Sequence, residues 1–247
     1  MLGVILEVYI DDIIIKLASL NHHLADLRLA LERMHQYGLK MNPLKCAFGV
    51  SAGKFLGFII YEKGIEIDPK RIEAMKKVEA PTCKKDLQKF LGKVNFLRRF
   101  ISNLSGKIDA FTPILWLKNE AGFTLGAKQQ EAFEKIKQYL SSPLVLKAPR
   151  RGVPFRLYVA AEDKVIGAVL TQETEEKEYI ITYISRRLID AETRYTFIEK
   201  LCLSLYYACT KLRYYLLSST CIVVCQTDVI KHMLSGRIGK WAYALVE

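Results

Sequence analysis

Asp11 and Asp12 stand side by side in the run Val8-Tyr9-Ile10-Asp11-Asp12-Ile13. Two adjacent carboxylates at the tip of a β-hairpin are one way for a sheet to hold hard, oxygen-preferring Mg²⁺ ions, and the chemistry that follows is phosphoryl transfer. A two-metal centre spaces its ions roughly 4 Å apart and needs at least one more carboxylate from another strand, so this pair is half of such a site. The plainer reading is a charged turn, because Asp favours turns for conformational reasons alone. A second pattern is cationic. Lys85, Lys89 and Lys93 recur every fourth residue, which stacks three ammonium groups on one helix face where they can track a phosphate backbone. Its plainer reading is a solvated basic face that serves solubility.

The elements that must position these groups follow from the hydrophobic periodicity. Leu2–Leu6 and Val8–Ile15 read as two β-branched strands meeting at the acidic turn. A helix comes next, with Asn21 as a cap, Leu24, Leu27, Leu31 and Met34 at helical spacing, and Gly38 at its end. Leu39–Met41, Cys46–Phe48 and Phe55–Ile60 read as short strands separated by turn formers. Asp68-Pro69 opens a mainly helical stretch. In it Thr82 is the expected N-cap of a helix whose apolar stripe is Leu87, Phe90, Leu91, Val94, Leu97 and Ile101, and another amphipathic helix runs near Gln129–Leu140. Pro143, Pro149, Arg150, Arg151, Gly152 and Pro154 mark a linker, and beyond it the order is β-β-β-α-β. Its strands are 155–160, 165–172, 179–184 and 221–225, and its helix begins near Thr196.

Composition narrows the class. The 247 residues are 51% apolar and 26% charged, which argues for a folded core and against intrinsic disorder. The formal charge is +11. Between Lys70 and Lys107 lie eleven basic and three acidic residues, a net +8, so the basic character belongs to one segment and an acidic polymer is its natural partner. Apolar runs are broken by charge well short of the ~20 residues that span a bilayer, so no membrane partner is expected. No basic n-region precedes an apolar stretch at the N-terminus. This implies a protein that is not secreted, cytoplasmic or nuclear, with Cys46, Cys83, Cys202, Cys209, Cys221 and Cys225 reduced. None of these forms a CxxC, and His22-His23 point to different helix faces, so no zinc site is indicated. His35 and His232 have no partner at ligand spacing, and Trp116 and Trp241 read as core or interface. No nucleophilic triad or Gly-rich phosphate loop is present.

Taken together, Val8-Tyr9-Ile10-Asp11-Asp12-Ile13, Leu39-Lys40-Met41-Asn42-Pro43-Leu44-Lys45-Cys46-Ala47-Phe48 and Lys54-Phe55-Leu56-Gly57-Phe58 resemble, in order and spacing, the reverse transcriptases of gypsy-type LTR retrotransposons. Phe90–Ile101 is similar to that family's thumb, Gln130–Lys137 to its connection, and Pro154 onward to its RNase H domain. The resemblance implies a mixed α+β chain in three parts: the C-terminal part of a palm over 1–67, a mainly helical thumb and connection over 68–148, and a C-terminally truncated RNase H-like mixed sheet over 149–247. It implies Asp11 and Asp12 as palm metal ligands for Mg²⁺ and Phe55, Leu56 and Gly57 as the primer grip. The implied partner is an RNA–DNA or DNA duplex, held by Lys85, Lys89, Lys93, Arg98 and Arg99. The family chemistry is RNA-directed DNA polymerisation.

Several positions depart from the family. The sequence opens only eight residues before Tyr9, so the fingers and the strand bearing the other palm carboxylate are missing, and Glu7 shares a strand with the turn and does not replace it. An upstream polymerase segment or a second chain would have to supply that carboxylate. In the RNase H half the family's Val-Asp-Ala-Ser is Val159-Ala160-Ala161-Glu162, which puts Ala160 where the first metal-binding Asp belongs. Glu199 and Asp228 remain as residual carboxylates, with Val229 in place of the family's His. Glu162 and Asp163 stand too far along the strand to substitute, roughly 6.6 Å for a two-residue shift against a ligand distance of about 2.1 Å. The expectation is therefore a polymerase fragment inactive alone and without RNase H activity. The alternatives are a non-catalytic duplex-binding module built on the basic helix, or a decayed relic without function.

Overall fold

In the computed structural model, residues 5–16, 20–62, 64–117, 123–142, 145–174 and 177–228 are described. Expectations that fall on Leu2–Val4, Pro143, Val229, His232 and Trp241 lie outside them. The chain divides into two compact units, 1–56 and 57–247.

In the first unit β1 (Leu6–Tyr9) and β2 (Asp12–Ile15) form an antiparallel pair in which Tyr9 faces Asp12 and Glu7 faces Ile14. The helix α1 (Leu20–Gln36) ends as its sequence demands. Gly38 adopts the left-handed φ of 65° that a side chain resists, and Leu39 N–H closes the turn onto Met34 O at 2.9 Å. Asn21 falls inside the helix, which already begins at Leu20, so it is not the cap. The strands expected at Leu39–Met41 and Cys46–Phe48 do not form. Asn42 instead accepts the Leu44 N–H at 3.0 Å and starts a single 3₁₀ turn over Pro43–Lys45, a local bond that outcompetes pairing. The strand of this region is β3 (Ala52–Phe55).

The second unit opens with β4 (Phe58–Tyr61) and β5 (Gly64–Ile67), antiparallel to each other, and β6 (Val145–Leu146), antiparallel to β5. Between β5 and β6 come α2 (Pro69–Lys76), α3 (Lys84–Phe96), α4 (Leu104–Ile108), α5 (Thr112–Leu115) and α6 (Ala127–Tyr139). Asp68 caps α2 by accepting Lys70 N–H at 3.0 Å, with Pro69 preset for the first turn. The N-cap of α3 is Cys83, one residue after the expected Thr82, whose hydroxyl reaches only to Asp86 at 3.5 Å. The predicted stripe is the core. Leu87, Phe90, Val94, Leu97 and Ile101 are buried against Phe111, Phe133 and Ile136, with the Phe90 and Phe133 rings 4.8 Å apart. Each such side chain contributes about 1.5–3 kcal/mol.

The C-terminal sheet has the order β10-β7-β8-β9, formed by β7 (Phe155–Ala161), β8 (Val165–Glu173), β9 (Glu178–Arg187) and β10 (Cys221–Val224), with β10 parallel to β7 and the other neighbours antiparallel. The helices α7 (Asp190–Thr193), α8 (Phe197–Lys211) and α9 (Arg213–Leu216) connect β9 to β10. Phe155, Leu157 and Val159 alternate onto the face covered by Leu201, Cys202, Leu205 and Ala208 of α8, giving a second core. The segment that reads as a linker is pinned. Gln172, fully buried, donates to Arg150 O at 3.0 Å and Val153 O at 2.8 Å and accepts from Arg150 N–H at 2.8 Å.

Candidate nucleic-acid interface and metal positions

The hairpin tip is a two-residue loop, Ile10-Asp11, between Tyr9 and Asp12. Ile10 has φ +54° and is 79% exposed. A β-branched side chain resists the left-handed region, and such residues cost of order 1–3 kcal/mol and cluster at functional sites. Asp11 and Asp12 are both exposed. Glu7 shares a face with Asp12 through the Tyr9 pairing but lies two residues, roughly 6.6 Å, further along its strand. Its carboxylate is engaged by Lys16. Among the described residues no group of three or more His, Cys, Asp or Glu side chains comes together to hold a metal ion. The residues present therefore supply two carboxylate groups at one tip and do not fit a two-ion centre.

Phe55 ends β3, and Leu56 and Gly57 follow with φ of +52° and +79°, the two successive positive angles of a type I′ turn. Gly57 has a second reason to lack a side chain: a Cβ there would stand 2.7 Å from Arg71 Nη2. The Arg71 guanidinium lies 4.1 Å over the Phe96 ring, and Phe96 stacks on Phe58 at 5.0 Å with 6° between planes. Phe58 stacks in turn on Phe100 at 5.5 Å. This cation and aromatic stack was not predicted. Its signal in the sequence is Phe96 itself, a large apolar residue outside the buried stripe of α3 and 40% exposed.

On α3 the residues Lys85, Lys89 and Lys93 are all exposed. Lys89 makes an exposed ion pair with Asp86 at 3.2 Å, an interaction weak enough to yield to a phosphate. The Cys83 thiol, donating at 3.2 Å, and then Lys89 hold the Asp86 carboxyl below the usual carboxylate range. Gly92 sits in the same face with nothing within 4 Å of where a Cβ would be. Arg98 is exposed, whereas Arg99 turns inward and its Nη2 donates to Tyr215 Oη at 3.3 Å. Lys84 and Lys107 are also used internally, on Leu117 O at 3.0 Å and Ser102 O at 2.5 Å.

In the C-terminal sheet the three expected carboxylate positions lie on β7, at the start of α8 and past β10. Ala160 follows the alternation of β7 onto the face away from α8, where it is exposed. Glu199 is the N3 residue of a capping box: its carboxylate accepts Thr196 N–H at 2.8 Å and Thr196 Oγ1 at 3.0 Å, while Glu199 N–H donates to Thr196 Oγ1 at 3.3 Å. Asp228 lies past β10. Glu162 accepts from Asn103 Nδ2 at 3.2 Å, and the carbonyl of Asp163 receives the ammonium of buried Lys200 at 2.9 Å.

Two families match the chain: reverse transcriptase (RNA-dependent DNA polymerase) over residues 2–60, and the RNase H-like domain found in reverse transcriptase over residues 125–223. Both families generally use divalent metals. The retrovirus-related Pol polyprotein from transposon opus of Drosophila melanogaster is 32% identical over 232 residues, covering 90% of this chain and 23% of the relative. That from transposon 297 of the same species is 31% identical over 97% of the chain, again 23% of the relative, and the Tf2-3 polyprotein of Schizosaccharomyces pombe is 32% identical over 85% of the chain and 16% of the relative. The chain thus spans less than a quarter of the length of these relatives. Among solved structures, the foamy viral protease-reverse transcriptase dRH in complex with ds DNA aligns with TM-score 0.84 at 21% identity, over 98% of this chain and 44% of that one. The same viral enzyme with an RNA/DNA hybrid gives 0.82 over 98% and 34%. That likeness establishes a shared mixed α+β fold, and the sequence matches add what fills it: the chain carries reverse transcriptase and RNase H-like parts, and its relatives are Pol polyproteins of gypsy-type LTR retrotransposons.

Proposed function

We propose that the chain grips nucleic-acid duplexes through α3, the thumb of this reading, and performs neither polymerisation nor RNase H cleavage by itself. The observation that carries the proposal is the outward face of α3: three exposed ammonium groups one turn apart, a bare backbone at Gly92 between them, and exposed Arg98 just beyond. A duplex presents phosphates at regular spacing, and neutralising them releases counterions. The solved relatives that share the fold are a viral enzyme bound to ds DNA or an RNA/DNA hybrid, which supports the choice of partner. Phe55, Leu56 and Gly57 would meet the primer strand, with Gly57 against the Arg71 guanidinium. Three to four phosphate contacts give log K a slope against log[salt] of about −2.7 to −3.6 on duplex DNA. The test is a salt series with an RNA–DNA hybrid, using the K85A/K89A/K93A chain as control. Salt-weakened binding that the triple variant loses supports the proposal, and a flat salt response overturns it.

A second reading is favoured by the strained backbone at Ile10. The β1–β2 hairpin would present Asp11 and Asp12 as one part of a Mg²⁺-dependent polymerase site, completed by a carboxylate from an upstream segment or a second chain. Primer extension that appears only on adding such a segment, and disappears in Asp11→Asn, is its expected result. For the RNase H half, Mg²⁺-dependent hybrid cleavage abolished by Glu199→Ala would refute the assignment of inactivity.

A further inference from the structure

The face of the C-terminal sheet that carries Ala160 is not open to a partner along its whole length. Cross-strand pairing aligns Ala160 with Gly167 and Gly167 with Ser185, a row of minimal side chains across three strands, on the face turned away from α8. The chain's own segment 102–109 is bonded to the Ser185 end of this row. Ser105 N–H donates to Ser185 Oγ at 3.0 Å, and Ser185 Oγ donates to Ser105 Oγ at 3.1 Å. Asn103, held at a left-handed φ of +45° that Asn tolerates, caps α4 by accepting Gly106 N–H at 3.1 Å while its amide donates to Glu162 at 3.2 Å. Asp109 pairs with Arg187 at 3.2 Å at the far end. Ser102 and Asn103 line an open pocket of about 220 Å³ together with Ala160, Gly167 and Tyr183. Burial raises the Tyr183 hydroxyl pKa, and neighbouring Tyr139 adds to the shift.

We propose that this sheet face serves as the seat of the segment 102–109, and that Ser185 and Glu162 are positioning residues which set the angle at which α3 meets a duplex. The proposal rests on the duplex-binding reading and adds the element that orients it. The mechanical link is short: Asn103 stands two residues past Ile101, and Arg98–Phe100 form the 3₁₀ turn that continues α3. A helix one end of which is fixed to a sheet holds its cations in a constant register, whereas a loose helix must be ordered by each duplex it binds, at an entropic cost. The position where the family carries a metal-binding Asp would then be Ala because the seat needs a small, uncharged surface. An Asp there would face a pocket that the acidic Glu162 also lines.

The test compares duplex affinity, and its salt slope, between the full chain and variants that leave every cation of α3 in place. Ser185→Arg fills the seat. The result expected is a fall in hybrid affinity of about fivefold or more with a shallower salt slope, at a temperature where circular dichroism reports a folded chain. Glu162→Ala removes one hydrogen bond and is expected to weaken binding by about threefold, with Glu162→Gln, which keeps an acceptor oxygen, restoring it. This pair decides the matter if Ser185→Arg does not fold. Wild-type affinity and slope in Ser185→Arg, or in both Glu162 variants when that chain is unfolded, overturns the seat while K85A/K89A/K93A still loses binding. If the triple variant also binds as wild type, the duplex-binding reading itself falls.

Discussion

Gly92 is a helix-interior residue that packing does not explain. A glycine there costs the helix roughly 0.5–1 kcal/mol relative to alanine, and the space around it would admit a Cβ freely. The structure needs no glycine at this point, and a partner's close approach to the backbone would. Gly92→Ala should therefore raise the melting temperature while lowering hybrid affinity, a pair of opposite shifts that thermal melting and a binding titration will register. The thiols of Cys202 and Cys209 give a second prediction. Burial pushes both up to about 11. Because the folded chain holds these protons more tightly than the unfolded one, the stability they contribute is complete below the ordinary thiol value and is lost as pH rises toward about 11. Denaturant midpoints should thus fall between pH 8 and pH 11, and the fall should be smaller in Cys202→Ala. At neutral pH both thiols stay protonated and resist alkylation.

The elements of the C-terminal sheet give its motif residues local tasks. The β7 alternation sends Ala160 away from α8, and the capping box draws Glu199 into the first turn of that helix. Ala160→Asp should therefore create no Mg²⁺ or Mn²⁺ site detectable by calorimetry. Glu199→Ala should cost about 1 kcal/mol of stability, the value of a lost cap, measured by chemical denaturation. The helical stripe Leu87 to Ile101 and the order β-β-β-α-β were legible because burial imposes periods of 3.6 and 2 on the residues themselves. What was not legible depended on bonds the periods do not carry. Asn42 captures the Leu44 N–H and forestalls two short strands, and the left-handed Leu56-Gly57 pair ends β3 before β4 begins. The same holds at the candidate interface. The lysine stripe could be read from i, i+4 spacing, whereas the inward turn of Arg99 toward Tyr215, 116 residues away, could not.

Across the whole molecule, the division falls after Leu56, and the residues from Gly57 onward bring the basic face and the two larger buried clusters together. A chain comprising residues 57–247 should unfold in one cooperative transition and keep the salt-dependent hybrid binding of the full chain, as differential scanning calorimetry and a salt series would report. The buried amide of Gln172 carries a consequence for how this molecule meets a protease. Arg150 and Arg151 are exposed and composed like a boundary, yet both backbone groups of Arg150 are tied to Gln172. A trypsin-like enzyme needs that backbone extended in its cleft, so cutting there must wait for local opening of β8 and is slow. The first nicks should fall elsewhere, and Gln172→Ala should turn the same two arginines into the preferred site.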